Sequence, residues 1–389
     1  MDLHLGLPKK SLKVVCFCRE NGHKDAECKS LVLPDPSEKS NHTENRYYTF
    51  LHFYFRFYKY FHSFVKQVKM MVWNSEQWKK QFELLSAQRN TKQKEEAMFL
   101  LRNMRANVFK HTVFLLQQGY YYNQKQSKVS FPDAKIMIGG TKFYDKPVTT
   151  FHIPTINGNT TIKVENVDCL LAAEKLLNNG YHPAVLNMAS RQNPGGGVQT
   201  GSGAQEENLF RRTNLFQSLY QFAPYASNFG LHKSKYQYPL DRNFGGIYTP
   251  YAIVFRGTEQ EGYPLLDKPF QMSFIAVAGI NRPALESPER IIPELVEPVK
   301  NKIRTIFRIG LLHGHDSLVL GALGCGAFRN PPSHIAKLFH EVMEEPEFKN
   351  KYKLILFAIL DDHNARLKHN PDGNYLPFVR VFNDQNKIE

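Results

Sequence analysis

The residues best suited to chemistry lie between Leu186 and Thr213, in LNMASRQNPGGGVQTGSGAQEENLFRRT. Three successive glycines, Gly195, Gly196 and Gly197, let the backbone take φ above zero and approach a ligand closely, which side chains would prevent. Seven residues later, QEE places Glu206 and Glu207 in the first turn of a helix predicted to start near Ala204 or Gln205. A helix N-terminus aims free N–H groups and a positive dipole end at the space before it, so loop and helix together suit an anion. Adjacent helical residues project roughly a hundred degrees apart. One carboxylate can therefore hold a sugar hydroxyl while its neighbour faces a reacting bond as general acid and base. Alone, an EE pair in a first turn reads as a dipole interaction worth about 0.3–1 kcal/mol; the loop before it supplies the chemical reading.

A second loop, GALGCGAFRNPP from Gly321 to Pro332, again follows a short apolar run and precedes a helix, with Asn330 expected as N-cap and Pro331 in the first turn. Two such cradles suit two linked anionic groups, as in a nucleoside diphosphate. Neither loop has the G-x-x-x-x-G-K-[ST] or the G-x-G-x-x-G pattern, which argues against a P-loop NTPase and a dinucleotide oxidoreductase. Cys325 has no histidine placed beside it by motif, and so reads as part of the loop, not as a nucleophile.

The elements that must position these loops alternate between strand and helix. Leu100, Met104, Val108, Phe109, Val113 and Leu116 recur at helical spacing before Gly119, in the place of a C-cap. TTIKVENVD predicts a strand, and CLLAAEKLLNNG a helix with Asp168 as N-cap and Gly180 as stop. AVLNMA is a buried strand, and one helix is expected through QEENLFRRTNLFQSLY. IYTPYAIVF, MSFIAVAG, SLVLGAL and KLILFAIL complete the strands, with helices near 288–314 and 331–345. Such alternation gives an α/β layered sheet with ligands beyond the carboxyl ends of the strands, where both glycine loops lie.

The GGG-x7-QEE spacing after LNMASRQNP strongly resembles the signature of the microbial-type poly(ADP-ribose) glycohydrolases, a branch of the macrodomain superfamily. RANVFKHTVFLLQQGYYY, FIAVAGINRP, GHDSLVLGALGCGAF and the final KLILFAIL with Asp361 follow in the family's order, so the resemblance spans about residues 93–382. It implies a macrodomain-like mixed sheet flanked by helices and carrying an ADP-ribose pocket. It further implies hydrolysis of ribose–ribose O-glycosidic bonds in poly(ADP-ribose), releasing ADP-ribose, without cofactor or metal. By the same resemblance Glu207 is the catalytic acid and base, and Glu206 holds the ribose next to the scissile bond. Gln205, Asn193 and Gly195 to Val198 would line the distal ribose and diphosphate. Gly324, Cys325, Gly326 and Ala327 would form the second diphosphate loop, and Phe328 would pack on the distal ribose. Asn281 and Asp361 would lie near the site without an assigned role. Val198 departs from the family, which commonly has an aromatic there. Two alternatives stay open: a hydrolase of single ADP-ribosyl groups on protein or nucleic acid, and a non-catalytic ADP-ribose-binding module.

The chain has 389 residues and a formal net charge of +14, which favours polyanionic partners. Residues 1–94 hold 17 Lys+Arg against 9 Asp+Glu, so the first quarter is the basic part. We expect residues 1–92 to form a basic, aromatic-rich extension with some helix, partly disordered, and residues 93–389 the catalytic domain. In the extension Cys18, His23 and Cys28 resemble a zinc knuckle over residues 16–28, although the Cys16-x-Cys18 bite strains tetrahedral zinc. A folded knuckle would be a nucleic-acid tether; otherwise this stretch is a disordered arm. LPDPSEKSNHTENR, residues 33–46, reads as a linker. The aromatic segment 47–65 carries Arg56 and Lys59, each costing about 2.5–3.5 kcal/mol at mid-bilayer, so no membrane span is expected there. Five cysteines in no disulfide pattern and no secretory signal predict an intracellular protein, cytoplasmic or nuclear, and a monomer is expected.

Overall fold

The computed structural model describes residues 73–149, 155–156, 158–361 and 365–383. The knuckle residues Cys16, Cys18, His23 and Cys28, the linker 33–46 and the aromatic segment 47–65 lie outside them. The described chain begins with α1 (Ser75–Ala87), where Asn74 Oδ1 accepts from Gln77 N at 2.9 Å. Next comes α2 (Lys94–Gln118); the apolar spacing predicts one or two helices here, and the chain forms one. It stops where expected: Gly119 takes φ 85° and its N–H reaches Leu115 O. A hairpin of β1 (Tyr120–Tyr122) and β2 (Lys128–Ser130), then α3 (Lys135–Gly140) and β3 (Lys142–Tyr144), lead into the sheet.

β4 (Thr161–Glu165) is followed by α4 (Cys169–Asn178), whose N-cap is Asp168, accepting from Leu170 and Leu171 N. Such a cap stabilises by about 1 kcal/mol. β5 (Pro183–Met188) ends at the glycine loop, and α5 (Gln205–Arg212) begins beyond it. The helix expected through residue 220 is in fact two, because α6 (Leu215–Leu219) is separate. Thr213 leaves the helix to bridge Val254, while Asn214 exchanges hydrogen bonds with Ile253 through its N–H and its Oδ1. Pairing to the sheet thus outcompetes continued helix, a tertiary contact that helical propensity does not contain.

β6 (Gly246–Arg256) and β7 (Leu265–Val277) form a long antiparallel pair; the small hairpin of β8 (Leu285–Ser287) and β9 (Arg290–Ile291) follows, then α7 (Pro293–Leu312). β10 (Ser317–Leu320), α8 (Pro332–Met343), β11 (Leu354–Ala358) and α9 (Tyr375–Asn383) complete the described chain. The seven-stranded sheet runs β3-β6-β7-β5-β10-β11-β4. From β7 to β4 all pairs are parallel, whereas β6 and β3 are antiparallel, so the expected mixed α/β sheet forms.

Alternate residues of the buried strands feed two cores, as a period of two requires. Val185, Phe274, Val319 and Leu356 pack toward α2, α4, α5 and α6, and Leu186, Ile275, Leu318 and Phe357 toward α7, α8 and α9. Residues 73–92, grouped with the extension on sequence, also pack on this unit, which runs from Met71 to Glu389. Trp73 stacks on His111 and donates from Nε1 to Gly262 O at 3.0 Å, and Trp78 is buried against Val108 and Tyr263. No helix among the described residues is long and apolar enough to cross a membrane.

Candidate active site

β5 and β10 pair only through Val185↔Val319, whereas β5 continues along β7 to Met188↔Val277. Past that last shared pair, the side chain of Gln205 takes over. Its Nε2 donates to Leu186 O at 2.6 Å and its Oε1 accepts from Met188 N at 2.9 Å. Buried backbone groups must find partners, and here the first residue of α5 supplies them, fixing the helix to the end of its own strand.

The next two residues face the loop. Glu206 is 2% exposed; its Oε2 accepts from Ser190 N at 2.7 Å and its Oε1 from Gly195 N at 3.0 Å. Burial, then the neighbouring Glu207, push its carboxyl well above the ordinary range, while the two backbone N–H groups and Asn187 oppose the shift. Glu207 Oε1 accepts from Gly197 N at 2.9 Å, and its Oε2 is buried without a hydrogen-bond partner among the described residues. The glycines are required by this packing. Gly195 (φ 74°) and Gly196 (φ 52°) occupy the left-handed region, and a Cβ on Gly196 would lie 2.5 Å from Glu207 Oε1.

In front of α5 lies a cavity of about 170 Å³. Gly203, Ala204 and Gln205 line one side, and Gly324, Gly326, Ala327 and Phe328 of the second loop another. Ala204 provides no side-chain cap, which leaves the first N–H groups of α5 directed at this space. Val167, Asp168 and Cys169 at the start of α4, with Ile359 and Leu360 after β11, close it. Buried Arg212, paired to Asp168 at 2.7 Å, lies in its wall. Burial alone would raise the Asp168 pKa, but Arg212 and the two α4 N–H groups outweigh it and hold it low. Among the described residues no group of His, Cys, Asp and Glu is arranged to hold a metal ion.

The structure brings together Gly195, Gly196, Gly197, Glu206 and Glu207, and separately Gly324, Gly326, Ala327 and Phe328 around the cavity. Other expected residues sit differently. Val198 is fully buried in the core, Asn193 is exposed with its backbone tied to Ser190 Oγ and Gly196 N, and the Gln205 amide is occupied by β5. Cys325 is fully buried, which pushes its thiol pKa far up, so only its backbone can serve the loop. Asn281 is exposed. Asp361 accepts from Asn374 N at 2.8 Å and Tyr375 N at 3.2 Å at the start of α9. Asn330 is not the N-cap of α8: Pro331 holds that position. Its amide instead donates to Ile280 O at 2.7 Å and Gly324 O at 3.0 Å, tying the second loop to the loop after β7.

Several residues of the site escaped sequence reasoning. Asn187 on β5 is fully buried near Glu206 with no hydrogen-bond partner for its amide among the described residues, and the charge of Glu206 adds to the burial that raises the pKa of Tyr220, Tyr225 and Tyr238. A usable signal existed in QEENLFRR, where four of eight helical residues are charged and yet Leu209 and Phe210 belong to the core. So many charges on a packed helix mark a polar interior.

Residues 110–257 match the family model for the microbial-type PARG catalytic domain. The chain carries a microbial-type poly(ADP-ribose) glycohydrolase catalytic domain. Solved structures of a bacterial enzyme from Thermomonospora curvata agree with this domain assignment. Poly(ADP-ribose) glycohydrolase from Thermomonospora curvata bound to the inhibitor ADP-HPD is 27% identical, with a TM-score of 0.58, over 72% of this chain and 100% of that one. Another structure of the same bacterial enzyme gives 26% identity over 72% and 100%, with a TM-score of 0.59. The Deinococcus radiodurans enzyme in complex with ADP-ribose is 26% identical over 66% and 100%, with a TM-score of 0.49. No curated protein matches the chain. In the glycohydrolase domain the matched segment contains both glutamates, the first glycine loop, α4, α5 and β5.

Proposed function

We propose that this chain hydrolyses the ribose–ribose O-glycosidic bond of poly(ADP-ribose), with Glu207 as its general acid and base. The observation that carries this reading is the Glu207 carboxylate. One oxygen is fixed by Gly197 N–H, while the other is buried and unpartnered beside the glycine loop. A carboxyl group held this way keeps one oxygen free to exchange a proton in a fixed place.

In the proposed reaction the held ADP-ribose unit lies in the cavity. Its diphosphate faces the N-terminus of α5 and the backbone of the second loop, including Gly324, Gly326 and Ala327. As the bond between the anomeric carbon and the leaving ribose oxygen breaks, Glu207 gives its proton to that oxygen. Water then attacks the oxocarbenium-like centre and returns a proton to Glu207. Glu206 has both oxygens engaged by the loop, so its part is to hold Ser190, Gly195 and the ribose-facing backbone in place. Phe328, half-buried in the cavity wall, would contact the distal ribose, with Asn193 reaching it from the exposed part of the first loop. Poly(ADP-ribose) on modified proteins is the proposed substrate.

Glu207→Gln tests this directly. Release of ADP-ribose from poly(ADP-ribose)-modified protein should fall by a factor of about 10²–10⁴, while calorimetry shows ADP-ribose still bound. Turnover surviving in that variant would remove Glu207 from the chemistry.

A further inference from the structure

A buried lysine stands at the same edge of the sheet with no partner. Lys302 is 2% exposed, yet no hydrogen bond or ion pair of its ammonium occurs among the described residues. Lysine is almost never buried unless paired. Its position follows from α7, whose residues Thr305 and Ile309, three and seven positions on, lie against Gly246. Gly246 pairs with Val277 at the carboxyl end of β7, and Gly245 before it packs on Leu240 and Asp241, so Lys302, one turn earlier on α7, lies at the carboxyl edge near the loop 238–245. Arg191, in the first glycine loop, is stitched to that same loop. Its Nη1 donates to Leu240 O at 2.9 Å and its carbonyl accepts from Leu240 N at 2.9 Å.

The charges here do not cancel. Asp241 is the carboxylate whose charge acts on Lys302, and its Oδ1 is engaged by Asn243 and Phe244 N–H at 2.8 Å each. Neither Arg191 nor Lys302 forms an ion pair among the described residues. Burial first, with Arg191 adding to it and Asp241 opposing, lowers the Lys302 pKa to about 8, so it remains mostly charged at neutral pH. None of Arg191, Asp241 and Lys302 lines the cavity, which extends from α5 toward β11 and α4. The glutamate pair follows β5, between the cavity on the β10 and β11 side and these cations on the β6 and β7 side.

We propose that Arg191 and Lys302 form a second anion subsite across the glutamate pair from the cavity. It takes a phosphate of the ADP-ribose unit that leaves when the bond is cut. This rests on the glycohydrolase reading above and adds to it a grip on the departing side of the polymer. A phosphate there would complete the charge that Asp241 leaves unmatched, and charge-assisted contacts from guanidinium and ammonium are the strong ones.

The test separates polymer from monomer. Lys302→Met and Arg191→Gln should each raise KM for poly(ADP-ribose) about tenfold with kcat retained, leave calorimetric affinity for ADP-ribose unchanged, and melt as the unaltered chain does. Lys302→Arg should restore the polymer KM. An unchanged polymer KM in folded variants overturns the subsite, as does an equal loss for monomer and polymer. If Lys302→Met does not fold, Arg191→Gln carries the same comparison, since glutamine can still donate to Leu240 O. Polymer and monomer binding are also measured in the Glu207→Gln chain. Absent turnover in the unaltered chain would defeat the enzymatic reading, while the polymer-over-monomer preference would still report on the subsite.

Discussion

The two glycine loops leave neighbouring parallel strands, β5 and β10, at one edge of the sheet, yet they are held by opposite means. The first is fastened by carboxylates of the helix that follows it: Glu206 grips Ser190 and Gly195, and Glu207 grips Gly197. The second is fastened by a neutral amide, Asn330, gripping Gly324 and Ile280 through their carbonyls. A loop held by ionisable groups has its geometry coupled to protonation, and a loop held by an amide does not. The first loop is accordingly suited to the reacting end of a substrate, and the second to the part that only has to be held.

That contrast can be broken most severely at Gly196. In Gly196→Ala the new methyl would sit 2.5 Å from Glu207 Oε1 on a backbone at φ 52°. We expect turnover to fall at least about a hundredfold, in line with losses from displaced catalytic groups, with calorimetric ADP-ribose binding weakened much less. Next in size is Asn330→Ala. Ile280 O loses its donor, at about 1–3 kcal/mol, while Gly324 O keeps only the Asn330 backbone N–H, and the second loop loosens. Denaturant melts should show the lost stability, and ADP-ribose affinity should fall while kcat at saturation is kept.

A smaller, pH-dependent effect sharpens the comparison. The Glu206 pKa is raised in the folded state, so the fold binds a proton more tightly than the unfolded chain does. The resulting stability is complete below the ordinary carboxylate value of about 4.5 and is lost as pH rises through the raised value. Melts of the unaltered chain should therefore lose stability relative to Glu206→Gln as pH rises, and Asn330→Ala should leave that slope unchanged. The smallest effect is expected for Cys325→Ala, with turnover within about twofold and a cost of about 1 kcal/mol, typical of a small buried truncation. A large loss of turnover there would restore the thiol as a participant.

Much of this was legible in the residues. Apolar periodicity located α2, α4, α7, α8 and the parallel strands, because each signal is local and repeats within a few residues. The pairing of Gly195–Gly197 with Glu206 and Glu207 was legible for the same reason, since the loop and its clamp lie within one stretch of chain. What was not legible depends on partners far away in sequence. Thr213 ends α5 because Val254 waits for it, and Asn330 crosses to Ile280 instead of capping its own helix. Val198 looks like loop but fills the core, and Lys302 looks like an ordinary lysine on α7. The direction of β6, antiparallel to both β7 and β3, likewise depends on long-range pairing that its residue types do not encode.

The side chain of Gln205 has one more consequence. A carboxamide is chemically a peptide group, and where β10 stops accompanying β5 this one stands in for a neighbouring strand. The helix carrying Glu206 and Glu207 is thereby joined to the sheet through its first residue, so the two glutamates, next in the chain, take their coordinates from the buried strand β5. On the proposed reaction, the proton donor therefore stays where the sheet holds it, a fixed datum against which the polymer is aligned.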